Sequence, residues 1–244
     1  MEQVYEKIRN EIFEILKKYK VNDKKVIIKS KVLSPEEAIG NPLHNDYPLI
    51  KGKERLLEAT INNAKGVAFT DMYGNYEGTL YNILNLPLQN NFYRAIFIAT
   101  INALFNYLGL IEKTRHCKDE TPILCAKELT KFLRKNYGEK IKIFQVGHQP
   151  RFTEILSKNF LLKIVDMDKD NIGKIINNVE INDISMTDNF IEWADIIFVT
   201  GSTFVNNSAK KFLNITNKPV IFYGVTCAAV SYILNLTRYC PYAE

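Results

Sequence analysis

The segment Thr114–Cys125 sets an imidazole (His116), two thiols (Cys117, Cys125) and two carboxylates (Asp119, Glu120) close together. Thiolate and imidazole are the donors that softer metals select. Structural zinc sites pair their cysteines two to four residues apart. The gap from Cys117 to Cys125 is wider, and Cys227 and Cys240 lie far along the chain. His116, Cys117 and Cys240 are read as candidate ligands for a transition or heavy metal. Cys125 and Cys227 suit small apolar holes in helices.

A second set of candidates sits where predicted strands end. Gly147-His148-Gln149, Asp166, Thr200-Gly201-Ser202-Thr203 with Asn206, and Gly224-Val225-Thr226 each follow an apolar run. In open parallel sheets, ligands bind beyond the carboxyl ends of the strands. Glycine there lets backbone approach a ligand closely. Ser202 and Thr203 would stand at a helix N-terminus, which favours an anion; simple capping of that helix is the competing reading. Lys51, Asp71 and His148 are candidates for acid–base work, and His44 with Asp46 is a further pair of that type. Arg94 can hold a carboxylate or phosphate. Asn102 and Asn106, one turn apart on an apolar helix, need partners if buried.

These residues require a scaffold of two parts. Val4, Ile8, Ile12, Ile15, Leu16 and Tyr19 recur at helical spacing in the first helix. A strand over 25–32 follows. Ser34-Pro35-Glu36-Glu37 opens a short helix closed by Gly40. Strands at 56–60 and 66–70 join at Asn62-Asn63, and loops fill 41–48 and 73–78. A seam at 85–91 separates residues 1–88 from 89–244. Beyond it the pattern alternates: helices at 93–108 and 121–136, a strand at 140–146, a helix at 151–159, and strands at 162–166 and 195–200. A helix from 201 to 213, a strand at 219–223 and a last helix complete it. Apolar strands alternating with helices indicate an α/β fold with a parallel sheet covered on both faces.

Composition excludes several classes. The 244 residues are 46% hydrophobic and 24% charged, which fits a globular chain and argues against disorder. The net charge of +5 is spread along the chain and makes no case for nucleic acid. The run 95–111 is interrupted by Thr100, Asn102 and Asn106, so it reads as a buried helix and not a membrane span. No secretory signal pattern opens the sequence, and four cysteines in that context are expected to be reduced thiols in a cytoplasm. Only one of the three glycines of G-x-G-x-x-G is found at 147–152, and the P-loop pattern is absent. NAD-dependent hydride transfer and P-loop phosphoryl transfer are therefore disfavoured.

Three groups of residues carry a family likeness. Gly40-Asn41-Pro42, Asp46-Tyr47-Pro48-Leu49, Lys51-Gly52-Lys53-Glu54 and Phe69-Thr70 before Asn75-Tyr76-Glu77-Gly78 form the first. Arg94-Ala95 with Ala99-Thr100-Ile101-Asn102-Ala103 forms the second. Ala194 to Thr203 with Asn206 forms the third. Together they resemble the putative heavy-metal-chelation family, a long-standing domain of unknown function, over nearly the whole chain. The resemblance implies a small α+β domain like the enolase N-terminal domain, followed by a Rossmann-like domain, with the site in the cleft between them. It implies no established activity. The cluster His116-Cys117-Asp119 and the tail Arg238–Tyr242 look like subgroup features, onto which no general family role carries over.

The expected function is binding of a metal ion or metal-bearing small molecule in that cleft. Strand ends at Gly147, Gly201 and Gly224 would form its floor, and the loops 44–46 and 73–78 its lid. The alternative is a metal-independent enzyme acting on a small anionic molecule there; a scaffold protein is the third reading. A homodimer is expected because closed homo-oligomers are common.

Overall fold

The computed structural model describes residues 1–244. It opens with α1 (Glu2–Lys18), β1 (Ile27–Val32), α2 (Pro35–Ile39) and α3 (Pro48–Lys51). β2 (Arg55–Ile61), β3 (Ala64–Thr70), β4 (Tyr76–Thr79) and α4 (Leu80–Leu84) follow. The strands form an antiparallel sheet in the order β3-β2-β1-β4. Helical spacing puts Tyr5, Ile8, Ile12 and Leu16 of α1 on one buried face. Ser34 and Glu37 make a reciprocal capping box on α2.

The chain continues through α5 (Asn91–Tyr107), α6 (Thr121–Tyr137), β5 (Lys142–Val146), α7 (Pro150–Asn159) and β6 (Leu161–Asp166). Then come β7 (Ile175–Ile176), β8 (Val179–Asp183), α8 (Thr187–Trp193), β9 (Ile196–Thr200) and α9 (Lys210–Leu213). β10 (Val220–Tyr223), α10 (Ala228–Ile233) and β11 (Thr237–Tyr239) close it. The second sheet runs β11-β10-β9-β5-β6-β8-β7 and is parallel except for the β7–β8 hairpin. From β8 to β11 this is the doubly wound order, and the direction of winding reverses between β5 and β9.

The helix α5 joins the two sheets. All residues from Arg94 to Phe105 are buried, as an all-round apolar helix must be. Asn90 caps it by accepting the Tyr93 N–H at 3.0 Å. β3 lies directly on it: a Cβ at Gly66 would stand 2.2 Å from the Ala103 nitrogen. One core of 36 buried residues runs from Ile8 and Leu57 through Phe97 and Phe105 to Phe144, Val199 and Phe222. A second core packs the opposite face of the parallel sheet beneath α6 and α7. No helix is long and apolar enough to cross a membrane.

Some expectations are corrected. The helix expected over 201–213 is a 3-10 turn at Gly201–Phe204, then a break, then the four-residue α9. Asn207, in a left-handed conformation (φ +69°), interrupts it. The loop expected at 73–78 pairs in part with β1 as β4, and β7, β8, α8 and β11 were not foreseen.

Candidate functional site

In open α/β sheets a reversal of strand order, here between β5 and β9, marks the crevice at the strands' carboxyl ends where ligands bind. Gly147 follows β5 with φ +86°, where side chains are strained. A Cβ there would also meet the Thr200 methyl at 2.8 Å. The Tyr223 hydroxyl, from the end of β10, donates to the Gly147 carbonyl at 2.7 Å and lies 3.1 Å from that of Val146. It fills the floor of the crevice, and burial raises its pKa.

Asp166, the last residue of β6, accepts the backbone N–H of His148 at 2.6 Å and of Asp168 at 2.7 Å. Burial nevertheless raises its carboxyl above the usual range. His148 places ring Nδ1 at 2.9 Å from Thr153 Oγ1. Burial pushes its imidazole down to about 4; Asp46 opposes this, and Lys51, Lys174 and Arg151 reinforce it. The ring is therefore neutral at physiological pH.

The antiparallel module supplies the facing wall. Glu54, immediately before β2, is pushed up to about 7 by burial and then by the charges of Asp166, Asp71 and Asp168. No side chain bonds or pairs with it. Its neighbour Lys53 crosses to Asp168, at 2.6 and 2.9 Å, and to Asp170 at 2.5 Å. Asp46 crosses to Arg151 at 2.5 Å. The crevice thus has an acidic wall contributed by both modules. It holds two titratable groups displaced towards neutrality or below it, a pattern associated with functional sites.

The sequence candidates divide. Gly147, His148 and Asp166 meet at this crevice. Thr200 adjoins them, its hydroxyl 2.8 Å from Ser202 Oγ. Thr203 donates back to the Thr200 carbonyl at 2.7 Å, so the hydroxyls at 200–203 tie the turn to itself. The expected anion-binding helix N-terminus at Ser202 is replaced by that 3-10 turn. Gln149 caps α7 by accepting the Phe152 N–H at 2.5 Å. Asn206 accepts from Ser208 and donates to the Met167 sulfur at 3.4 Å. Asp71 accepts from Asn91 at 2.6 Å, and Lys51 is exposed.

Four other candidates have structural partners. Arg94, read as a ligand for an anion, is buried and donates to Val205 O (2.5 Å), Leu88 O (2.8 Å) and Asn91 Oδ1 (2.5 Å). Asn102 donates to the carbonyls of Val67, Val225 and Thr226 and accepts the Ala229 N–H at 2.8 Å. The Thr226 hydroxyl accepts from the Phe69 N–H at 3.1 Å. The Gly224 carbonyl accepts from Arg238 Nε at 3.0 Å. Of these, the Asn102–Val67 and Phe69–Thr226 bonds join the two modules.

The thiols form a separate neighbourhood. Cys240 follows β11, while Cys117 lies in the loop before α6. Burial, then the nearby Cys240, pushes the Cys117 thiol up to about 12. Cys125 and Cys240 are raised for the same first reason. His116 turns Nδ1 to the Cys117 carbonyl at 2.6 Å and sets its ring edge-on to Phe69. The donor types suit a soft metal, but His116 is engaged elsewhere. No group of three or more His, Cys, Asp or Glu side chains is placed to hold a metal ion. The set His116, Cys117 and Cys240 therefore does not fit a metal as it stands.

Sequence reasoning missed Glu54, Lys53, Arg151 and Tyr223 as site residues. A signal existed for the first two, in the Lys51-Gly52-Lys53-Glu54 motif. It existed for Arg151 in its place just after a strand-end glycine.

Comparison with other proteins agrees with this architecture. A crystal structure of a DUF364-family protein of unknown function from Pyrococcus horikoshii matches with TM-score 0.58 and 16% identity, covering 91% of this chain and 79% of that one. A second, from Desulfitobacterium hafniense, matches with TM-score 0.50 and 15% identity, covering 74% and 72%. No curated protein matches. The family model described as "Putative heavy-metal chelation", DUF364, matches residues 132–237, from within α6 to β11. Residues 132–237 are thus similar to the DUF364 family model, and the chain has a fold like that of the two solved DUF364-family proteins.

Proposed function

We propose that this protein binds a small metal-bearing molecule in the crevice between its two modules. The observation that carries this reading is the acidic wall of Glu54, Asp71, Asp166 and Asp168, which favours a cationic centre. No protein ligand set is pre-assembled, so a metal that arrives with its own ligands suits the crevice better than a bare ion. The family description points the same way. The thiols of Cys117 and Cys240 lie in their own neighbourhood and take no part in holding the metal. The free thiols fit a cytoplasmic setting, and a homodimer belongs to the same proposal.

Elemental analysis and native mass spectrometry of anaerobically purified protein test it. Metal and a small molecule are expected together, and Glu54→Gln should lose both. Protein that carries neither, and takes up neither from cell extract, overturns the reading.

One observation favours a second reading, metal-independent catalysis on a small anionic molecule. Glu54 and His148 have pKa values shifted in opposite directions within one crevice, the arrangement by which acid and base roles are divided. Lys51 and Asp71 would then assist them. Stabilisation of metal-free protein by phosphates or nucleotides would support it.

A further inference from the structure

Gln145, Thr153 and His148 form a hydrogen-bonded chain that leads from the core to the end of β5. Gln145 and Thr153 are fully buried. Gln145 Nε2 stands 2.9 Å from the Gly147 carbonyl. A carbonyl can only accept, so this contact settles which end of the amide is nitrogen. Thr153 Oγ1 lies 3.0 Å from Gln145 Nε2, 3.2 Å from its Oε1 and 2.9 Å from His148 Nδ1. No other side chain and no backbone N–H reaches Gln145 Oε1.

The Thr153 hydroxyl has one proton to give. Given to His148 Nδ1, it would leave Gln145 Oε1 buried without any partner, at a cost of about 1–3 kcal/mol. Given to Gln145 Oε1, it leaves Thr153 Oγ1 free to accept from a His148 Nδ1–H, and every buried group in the chain is paired. A neutral imidazole carries a single ring proton. With that proton on Nδ1, Nε2 keeps its lone pair. Nε2 meets no protein group and is open to solvent. Burial, opposed by Asp46 and reinforced by Lys51, Lys174 and Arg151, keeps the ring neutral. Asp166 holds the His148 backbone N–H and so anchors the residue at the strand end.

We propose that Gln145 and Thr153 are positioning residues that fix His148 as its Nδ1–H tautomer, so that Nε2 accepts a hydrogen bond from the crevice ligand and selects a small molecule with an N–H or O–H to offer. The ligand half of this rests on the reading that the crevice binds a small molecule; the tautomer half does not. Long-range proton–nitrogen NMR on the full wild-type chain at pH 7 tests the tautomer. A pyrrole-type Nδ1 and a pyridine-type Nε2 are expected. Thr153→Val removes the acceptor for Nδ1–H and should move the proton to Nε2, where water can take the bond. Thr153→Ala serves if the valine variant is insoluble, and Thr153→Ser should restore the wild-type pattern. The reverse pattern in the wild type overturns the proposal, as does a pattern that the loss of the hydroxyl leaves unchanged. The ligand half is read by adding the small-molecule fraction of a cell extract, with native mass spectrometry reporting occupancy. A bound compound should shift the Nε2 resonance upfield, towards the pyrrole type, and leave Nδ1 nearly in place. A compound that binds without moving Nε2 overturns the acceptor role alone. If no compound binds, the reading of the crevice as a small-molecule site is overturned and the acceptor role goes with it, while the tautomer stands or falls on the first measurement.

Discussion

Lys53, at the edge of the antiparallel module, holds both carboxylate oxygens of Asp168, which lies just beyond β6 of the parallel sheet. The bond spans the mouth of the crevice, directly beside Glu54. It is solvent-accessible, and exposed ion pairs add little to global stability. Lys53→Ala is therefore expected to leave the melting temperature nearly unchanged while amide hydrogen exchange quickens over residues 41–54. Unchanged exchange there would show that the ion pair does not restrain the segment.

Glu54 gives a pH signature. Its folded pKa, about 7, lies above the ordinary 4.5, so the folded state binds the proton more tightly. Stability is expected to fall as pH rises from about 4.5 to 7 and then to level off. Glu54→Gln removes this loss and should stabilise the protein at pH 8 by on the order of 2–3 kcal/mol, with little effect at pH 4. Denaturant unfolding at the two pH values measures it. Equal effects at both would mean that Glu54 is not held in an acidic, desolvated position.

His148 works in the opposite sense. Its folded pKa of about 4 lies below the ordinary 6.5, so the unfolded chain binds the proton more tightly. Its contribution to stability is lost as pH falls from 6.5 towards 4. In the wild type this partly cancels the Glu54 effect, and only the single variants separate them. His148→Gln should flatten the acid side of the profile. NMR titration of the His148 ring, with a midpoint near 6.5, would contradict the burial argument.

Asn102 is a structural junction. Asn102→Ala leaves three buried carbonyls and the Ala229 N–H without their partner. A loss of about 3 kcal/mol is expected. A loss under 1 kcal/mol, by chemical denaturation, would mean that water replaces the amide.

Gly66→Ala tests the contact between β3 and α5. The added methyl would meet backbone, at 2.2 Å from the Ala103 nitrogen and 2.5 Å from the Ala99 oxygen, and backbone cannot step aside as a flexible side chain can. Insoluble protein, or a melting temperature at least about 10 °C lower, is expected. A wild-type melting curve would refute the close packing.

Much of the fold was legible because its signals are local. Ser34 and Glu37 cap α2, Asn62 turns β2 into β3, and Gly138 stops α6, each through its own backbone preference. The β7–β8 hairpin carried a comparable signal in Asn177-Asn178, both of which adopt positive φ, but its strands are too short for the alternation to register. The helix expected after Gly201 failed for a non-local reason: Gly201 packs on Cys227, where a Cβ would lie 2.9 Å from sulfur, and Thr200 and Thr203 close a tighter turn. The site was legible only from one side. Strand-end glycines marked the floor at Gly147, whereas the significance of Glu54 and Arg151 comes from neighbours about a hundred residues away. Arg94 and Asn102 misled because their chemistry suits a ligand equally well as it suits carbonyls of distant segments.

The 36-residue core passes without a break from α1 through α5 into the parallel sheet. Swinging the halves apart would expose Phe97, Phe105 and their neighbours to water, a cost of several kcal/mol. A guest must therefore enter without any bending at the waist of the molecule. The short span from Asn41 to Lys53 is pinned only by Tyr47 and Leu49, in a small core of eight residues, and by polar bonds across the junction, so lifting it would disturb far less than parting the foundation.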